Sequence, residues 1–184
     1  MNSHDTTAYL EEAGMKIDLG GSAKGYAIDR SVFVLRKNGI NQFFLNAGGD
    51  IYTSGKKDGV EKWRVGIKHP RKLDLLIARF KLSDCAVATS GDYERFVMID
   101  GKRYHHIIDP RNGFPSSQCQ SVTVLAPSAE EADALATYLF VLGFNHLQKN
   151  PQFELPYFIV DGNGGIHYSN SFVEQDSLEV ISDF

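Results

Sequence analysis

The chain has 184 residues, 42% of them apolar, and a formal net charge of −4 at pH 7. This is enough apolar sequence for one globular domain, which we expect to span residues 1–184. The negative charge and the lack of a lysine- or arginine-rich run argue against binding to nucleic acid, which depends on clustered cations. No apolar run approaches the roughly 20 residues that a membrane-spanning helix needs.

The N-terminal part of the chain predicts a strand, a glycine-rich loop and a helix. Residues 15–19 alternate between apolar and polar side chains, as in a short strand. The loop over residues 20–25 (GGSAKG) follows, and apolar residues then recur at helical spacing until Gly39. The loop is therefore expected to connect a strand to the start of a helix.

The middle of the chain has the patterns of sheet strands. An apolar run at residues 43–45 and two alternating stretches at 63–68 and 76–82 each predict a strand. Two β-prone runs then lie on either side of Asp100-Gly101, a dipeptide typical of tight hairpin turns. We expect a hairpin over residues 97–108.

The C-terminal part completes the expected fold. Residues 122–126 predict a strand, and Ser128 and Glu131 have the spacing of a capping box, so a helix should begin there and end near Gly143. A closing hairpin is expected over residues 158–168. Strands flanking a few helices, with no repeat or linker between them, predict an α+β domain with mixed or antiparallel sheets.

The cysteines do not predict a metal site or a disulfide framework. Cys85 and Cys119 are far apart in the sequence, and neither has a Cys or His nearby at metal-ligand spacing. We expect both to be free, buried thiols.

The glycine loop has two interpretations. Small residues allow backbone N–H groups to approach an anion, the following helix presents its positive end, and Lys24 adds a cation, so the loop suits a phosphate. The spacing matches neither a Walker loop nor a dinucleotide-binding motif, and the glycines alone are explained equally by a tight turn.

Two oxygen-bearing side chains share one face of the predicted second helix. Asp133 and Thr137 are four residues apart, so they lie one turn above each other and can point at one hard cation such as Mg²⁺. The alternative is a solvated aspartate beside a threonine that bonds back to its own helix.

A pair of histidines ends the predicted hairpin. His105 and His106 are adjacent in a strand, so their side chains point to opposite faces and only one can serve a given site. Either imidazole could act as a base near neutral pH, or could be a structural histidine with its hydrogen bonds satisfied.

Residues 90–95 (SGDYER) concentrate polar groups after a short apolar run. We interpret them as a turn with an aspartate cap. The sequence contains no Gly-x-Ser-x-Gly motif and no Cys–His pairing, so an ordinary hydrolase mechanism has little local support.

Five blocks of the sequence, taken in order, resemble the ApbE family of FAD:protein FMN transferases. They are residues 18–27 (DLGGSAKGYA), 46–51 (NAGGDI), 88–96 (ATSGDYERF), 104–111 (YHHIIDPR) and 132–137 (ADALAT). Each block alone is weak, but all five in the family's order cover most of the chain.

The resemblance implies a set of site residues. Mg²⁺ would be held by the carboxylate of Asp133, the hydroxyl of Thr137 and the main-chain carbonyl of Gly21. Asp18, Lys24, His106 and Ile107 match positions that line the FAD pocket, and His106 is the expected catalytic base, with Asp133 also in the catalytic set.

The resemblance also implies a reaction. Mg²⁺ would bridge the pyrophosphate of FAD while His106 takes the proton from a threonine or serine hydroxyl of an acceptor flavoprotein. The hydroxyl would attack the FMN-side phosphorus and AMP would leave. The alternatives left open are an FAD pyrophosphatase that uses water as the nucleophile, and a flavin-binding module without catalysis.

Two further expectations come from the family alone. Its members have an additional N-terminal region that supplies flavin and adenine contacts, so this chain would correspond to the C-terminal portion, truncated at its N terminus. They work outside the cytoplasm, at the periplasm or cell surface, so any membrane association would come from an N-terminal anchor that this sequence lacks.

Overall fold

The structure is a computed structural model that describes residues 7–72, 74–150, 155–173 and 178–181. The helices are α1 (Ala23–Lys37), α2 (Ala129–Leu142), α3 (Phe144–Lys149) and α4 (Asn170–Val173). The strands are β1 (Phe43–Ala47), β2 (Asp50–Ser54), β3 (Trp63–Lys68), β4 (Leu76–Leu82), β5 (Cys85–Gly91), β6 (Phe96–Ile99), β7 (Lys102–His105), β8 (Ile108–Asp109), β9 (Phe114–Pro115), β10 (Cys119–Ala126), β11 (Tyr157–Asp161), β12 (Ile166–Tyr168) and β13 (Glu179–Val180).

A six-stranded sheet in the order β1-β2-β5-β10-β11-β12 forms the centre of the fold. A second sheet has the order β13-β4-β3, and β6-β7 and β8-β9 form separate two-stranded ribbons. Every pairing between these strands is antiparallel. The expected α+β class is confirmed.

Both faces of the central sheet are covered. Successive side chains of a strand point to opposite faces, so alternate residues of β10 enter different cores. Val122 and Val124 pack with α1 and α2, whereas Leu125 packs with the three-stranded sheet. The layers are therefore helices, central sheet and second sheet, and all eight residues of β10 are buried.

Most of the predicted elements are present. Helix α1 begins within the glycine loop, and α2 begins where the capping box indicated, with the Ser128 side chain accepting a hydrogen bond from the backbone N–H of Glu131. The predicted hairpin over residues 97–108 is shorter, because β7 ends at His105 and residues 108–109 pair instead with β9. The closing hairpin is the β11–β12 pair.

One predicted strand is wrong, and several strands were not predicted, among them β2 and β5. Residues 15–19 do not form a strand, and the apolar side chains at both ends of that stretch are exposed: Met15 is 52% and Leu19 is 66% exposed. An alternating pattern forms a strand only where a partner buries its apolar face. Strands β2 and β5 are rich in small and polar residues, which hides the apolar pattern of a buried strand.

Helices α1 and α2 each carry an aspartate that accepts hydrogen bonds from the N-terminal end of the other helix. Both carboxylate oxygens of Asp29, on α1, accept hydrogen bonds from the first backbone N–H groups of α2, at Ala129 and Glu130 (2.8 and 2.9 Å). In return, Oδ2 of Asp133, on α2, accepts a hydrogen bond from the N–H of Gly25 at 3.1 Å. Each helix therefore satisfies unpaired N–H groups of the other and places a negative charge at its positive end.

Both cysteines are free, as predicted, but only Cys119 is fully buried, and Cys85 is partly exposed. Burial raises the pKa of the Cys119 thiol to about 12. No helix among the described residues is long and apolar enough to cross a membrane.

We predict that Gly25→Ala destabilises the protein by about 2–3 kcal/mol, because the added methyl group would overpack the helix contact. A Cβ atom at this position would lie 2.2 Å from the carbonyl oxygen of Ala129 and 2.5 Å from the Cα atom of Glu130, and backbone atoms cannot move aside cheaply. The measurement is urea unfolding followed by circular dichroism. Ser31→Ala, at an exposed position of the same helix, is the control and should change stability by less than about 0.5 kcal/mol. Equal stability of the two variants would contradict the close helix contact.

Candidate functional site

Asp133 lies in the first half of α2 and is only 3% exposed. This excludes the interpretation of a solvated aspartate. Its Oδ2 bonds to α1, and its Oδ1 lies 4.0 Å from Nζ of Lys24. Burial raises the pKa of this carboxyl group, and the negative charge of Asp50 adds to the effect, while the Gly25 N–H and the Lys24 ammonium act in the opposite direction.

Thr137 lies one turn after Asp133 and faces the glycine loop. A Cβ atom built on Gly21 would lie 3.6 Å from Oγ1 of Thr137. The loop and this face of α2 are therefore in contact. The hydroxyl does not bond back to its own helix. It forms a 3.0 Å hydrogen bond with the hydroxyl of Ser90, near the end of β5. The family resemblance assigned Gly21, Asp133 and Thr137 to one site, and in the structure Thr137 lies against Gly21 and one helical turn from Asp133.

Lys24 lies between two buried carboxylates. Its Nζ is 2.7 Å from Oδ2 of Asp50, the first residue of β2, which is 1% exposed. The angles at this contact do not fit a hydrogen bond, and that oxygen accepts no hydrogen bond from the described residues. We regard the contact as an ion pair, because the attraction between charges depends mainly on distance. With both carboxyl groups ionised, Asp50, Asp133 and Lys24 carry one net negative charge.

These residues fit a magnesium ion better than a transition metal. Across residues 7–72, 74–150, 155–173 and 178–181, no three His, Cys, Asp or Glu side chains cluster as a metal site. The cluster instead combines the carboxylates of Asp50 and Asp133 with the hydroxyl of Thr137. Mg²⁺ prefers such hard oxygen ligands and commonly uses only one or two carboxylates together with ligand phosphates.

The two histidines have different environments. His105 is buried: its Nδ1 accepts a hydrogen bond from the N–H of Ile107, its Nε2 bonds to the carbonyl of Ser116 at 2.8 Å, and its ring packs edge-on against Phe140 of α2. These bonds use both ring nitrogens, so His105 is structural.

His106 is exposed, and its Nδ1 lies 3.3 Å from the carbonyl oxygen of Arg95. A carbonyl only accepts, so this bond places the ring proton on Nδ1 and leaves a lone pair on Nε2. The geometry is that of a general base held in one orientation. Within the described part of the chain, no hydrogen bond or ion pair joins His106 to Lys24, Asp133 or Thr137.

The other two predicted pocket residues differ in exposure. Asp18 is exposed at the start of the loop, where its carboxylate accepts a 2.7 Å hydrogen bond from the N–H of Gly20 and so stabilises the bend. Ile107 is 7% exposed and its side chain belongs to the core beneath the helices. Only its backbone could therefore face a ligand, and its N–H already donates to His105.

Residues 92–95 form the turn that the sequence suggested, but Asp92 does not act as the expected cap. Ser90 is in β5 and bonds to Thr137, and the Asp92 carboxylate binds the guanidinium groups of Arg71 and Arg103. Sequence reasoning also gave no role to Asp50. Its position after two glycines is too common to identify a site, and the block at residues 46–51 that contains it did not single it out.

Comparisons with known proteins agree on one family. The model of the ApbE family matches residues 1–154. A protein of Treponema pallidum named FAD:protein FMN transferase is 42% identical over 151 residues, which cover 75% of this chain and 41% of that protein. A protein of Escherichia coli K12 with the same name is 35% identical over 143 residues, covering 77% and 41%.

Solved structures give the same result for the fold. The crystal structure of the ApbE protein from Thermotoga maritima matches with a TM-score of 0.83 and 42% identity, over 90% of this chain and 55% of that one. The flavin transferase ApbE from Vibrio cholerae matches with a TM-score of 0.74 and 33% identity, over 86% and 52%. The chain spans about two fifths of the length of the curated relatives it matches. With a family match over most of its residues and identities of 35–42% to these named relatives, the chain belongs to the ApbE family.

Proposed function

We propose that this chain carries out magnesium-dependent transfer of FMN from FAD to a threonine or serine hydroxyl of an acceptor protein, with release of AMP. The observation that carries the proposal is the contact between the glycine loop and α2. It gathers Lys24, Asp50, Asp133 and Thr137 around one point at the N-terminal end of α1. The names of the relatives support the same class of reaction.

The pyrophosphate of FAD would bind at this cluster. The N-terminus of α1 and Lys24 would contribute positive charge, and Mg²⁺ would offset the net negative charge of Asp50, Asp133 and Lys24. Asp133, Thr137 and the carbonyl of Gly21 would hold Mg²⁺, with Asp50 keeping Lys24 in place. When bound, the metal would neutralise negative charge on the phosphates during transfer.

His106 would accept the proton from the acceptor hydroxyl. Its hydrogen bond to Arg95 fixes the ring, and exposure of the side chain allows a hydroxyl from another protein to approach Nε2. Removing the proton makes the hydroxyl oxygen a better nucleophile for the FMN-side phosphorus, and the bond to the AMP oxygen breaks. Ser90 would act indirectly, by orienting the Thr137 hydroxyl.

The exposure of His106 also favours a second candidate, an FAD pyrophosphatase. Water can reach the same base, and hydrolysis would give FMN and AMP without any acceptor. The third candidate is a flavin-binding module without catalysis.

We predict that Mg²⁺ raises the melting temperature of this chain and that Asp133→Asn removes the effect. A ligand at about 100 times its dissociation constant stabilises a protein by about 2.7 kcal/mol. The measurement is differential scanning fluorimetry with and without MgCl₂. Glu130→Gln, at an exposed position of the same helix, is the control and should retain the full shift. An equal Mg²⁺ shift in the Asp133→Asn variant would contradict the assignment of the ligand.

The same variant should behave differently in the absence of metal. Because burial raises the pKa of Asp133, the folded state binds its proton more tightly than the unfolded state does. The contribution of this group to stability is therefore complete below its unfolded-state pKa and is lost as the pH rises through its folded-state pKa. In EDTA, Asp133→Asn should raise the melting temperature near neutral pH and change it little at about pH 3. The opposite pH trend would show that the ionised carboxylate is stabilised by its neighbours.

We predict that His106→Gln lowers the rate of flavin attachment by about 10²–10⁴-fold, the usual contribution of a general base, while FAD still binds. Mass spectrometry of the acceptor and chromatography of free AMP and FMN give the rates. His146→Gln, on α3, is the control and should leave the rates unchanged.

The products distinguish the candidates. Flavin on the acceptor with equimolar AMP supports transfer, whereas FMN and AMP released without acceptor support the pyrophosphatase. Binding of FAD with no product from either reaction would support the module without catalysis. An unchanged rate in His106→Gln would remove His106 from the mechanism.

A further inference from the structure

The tight turn between β1 and β2 has a fixed geometry. Gly48 and Gly49 have positive φ values, of 65° and 106°, as the two-residue turn that best fits antiparallel strands requires. The side chain of Asn46 accepts a 3.0 Å hydrogen bond from the N–H of Gly49. Asp50 is the first residue after the turn, and it pairs with the last residue of β1. The block at residues 46–51 therefore fixes the backbone of Asp50.

The buried carboxylate of Asp50 depends on Lys24 to compensate its charge. Its Oδ1 accepts a long hydrogen bond, of 3.4 Å, from the N–H of Thr89, and its Oδ2 accepts none from the described residues. A carboxylate that is 1% exposed is costly unless an opposite charge lies close to it. Nζ of Lys24, at 2.7 Å from Oδ2, supplies that charge.

The two members of this ion pair differ in how freely they can move. Asp50 has a short, buried side chain next to a fixed turn. The side chain of Lys24 is 46% exposed, and a lysine carries its ammonium on a flexible four-carbon stem. Asp50 is therefore the fixed member of the pair, and it determines where the ammonium lies.

The ammonium of Lys24 also lies near the carboxylate that we assign to the metal. Its Nζ is 4.0 Å from Oδ1 of Asp133. Oδ2 of Asp133 bonds to the N–H of Gly25, so Oδ1 is the oxygen better placed for Mg²⁺. An ammonium in direct contact with Oδ1 would occupy its lone pairs and would repel a divalent cation. A short movement of Lys24 away from Asp50 would therefore block the metal position.

We propose that Asp50 is a positioning residue that holds the ammonium of Lys24 off Oδ1 of Asp133 and so leaves that oxygen to Mg²⁺. Asp50 does not bind the metal itself, because it acts through Lys24. When the charge of Asp50 is removed, Lys24 turns to the carboxylate of Asp133, which lies 4.0 Å away. This inference rests on the proposed function, because it concerns the metal site of that reaction.

A double variant separates this role from that of a metal ligand. Asp50, Lys24 and Asp133 together carry one net negative charge when all three are ionised. Asp50→Asn makes the cluster neutral and frees the ammonium. Asp50→Asn/Lys24→Met returns the net charge to that of the wild type and removes the ammonium. If Asp50 were a metal ligand, the double variant would still lack it.

The first measurement is binding of Mn²⁺ to the full chain without FAD, followed by the EPR signal of the free ion. Carboxylate and carbonyl oxygens suit Mn²⁺ as they suit Mg²⁺. We expect Asp50→Asn to weaken binding at least about tenfold, a difference of about 1.4 kcal/mol. The double variant should bind within about threefold of the wild type, because no ammonium competes for Asp133. Glu130→Gln, an exposed position of α2, is the control and should change binding by less than about twofold.

The second measurement is a crystal structure of the Asp50→Asn variant grown in EDTA. We expect Nζ of Lys24 to lie within about 3 Å of Oδ1 of Asp133, which is hydrogen-bond distance, instead of 4.0 Å. Thermal melts in EDTA verify the folding of each variant. If Asp50→Asn does not fold, the double variant still decides the question, because it removes both charges of the pair and leaves neither unpaired.

Four results would overturn the inference. The first two are unchanged Mn²⁺ binding in Asp50→Asn and a lack of Mn²⁺ binding in the wild-type chain. The third is a double variant that binds as weakly as Asp50→Asn, which would identify Asp50 as a metal ligand. The fourth is an ammonium that remains 4.0 Å or more from Asp133 in the crystal, which would leave only an effect of net charge.

Failure of the proposed function gives a different result. Mn²⁺ binding that is lost in Asp50→Asn and restored in the double variant, without flavin transfer by the wild-type chain, supports the role of Asp50 and removes the proposed function. Flavin transfer by the wild-type chain, together with unchanged Mn²⁺ binding in Asp50→Asn, does the reverse.

Discussion

The structure depends on the buried carboxylate of Asp133 at the N-terminus of α1. An ionised group that is 3% exposed is costly unless other groups compensate for its charge. Here an N–H group at the positive end of a helix and the ammonium of Lys24 do so in part. The remaining cost keeps the pKa of the group raised, and a divalent cation would remove that cost. The interaction that orients the two helices therefore leaves the negative charge of Asp133 only partly compensated. A metal ion can compensate the rest.

The close helix contact and the sheet beneath it place the other groups of the cluster. Gly25 lets α1 approach the first turn of α2, and Asp29 fixes the reverse contact. On the sheet, Asp50 has the same orientation as Tyr52, and Ser90 the same as Ala88, so both point toward the helices. Two strands, two helices and the glycine loop thus contribute to one site.

The local parts of this fold could be predicted from the sequence, and the long-range parts could not. Helix α2 follows from its capping box and its apolar spacing, because these signals lie within one segment. Strand β5 (CAVATSG) lacks such a signal, since a strand that is buried on both faces by small residues shows no alternation. The bond between Gly25 and Asp133 joins residues 108 positions apart. Only the resemblance to a family linked these two segments.

The histidine pair also shows that long-range contacts could not be predicted from the sequence. Alternation along a strand predicts that His105 and His106 face opposite ways, but Ser116 and Phe140, which bury His105, come from other parts of the chain.

We propose that the glycine loop and α2 share one divalent cation. The most direct test is a crystal grown with MnCl₂ and FAD, measured for anomalous scattering. We predict one manganese peak bound to Oδ1 of Asp133, Oγ1 of Thr137 and the carbonyl oxygen of Gly21. A manganese peak elsewhere, with FAD bound and this position unoccupied, would show that the glycine loop and α2 do not share the ion.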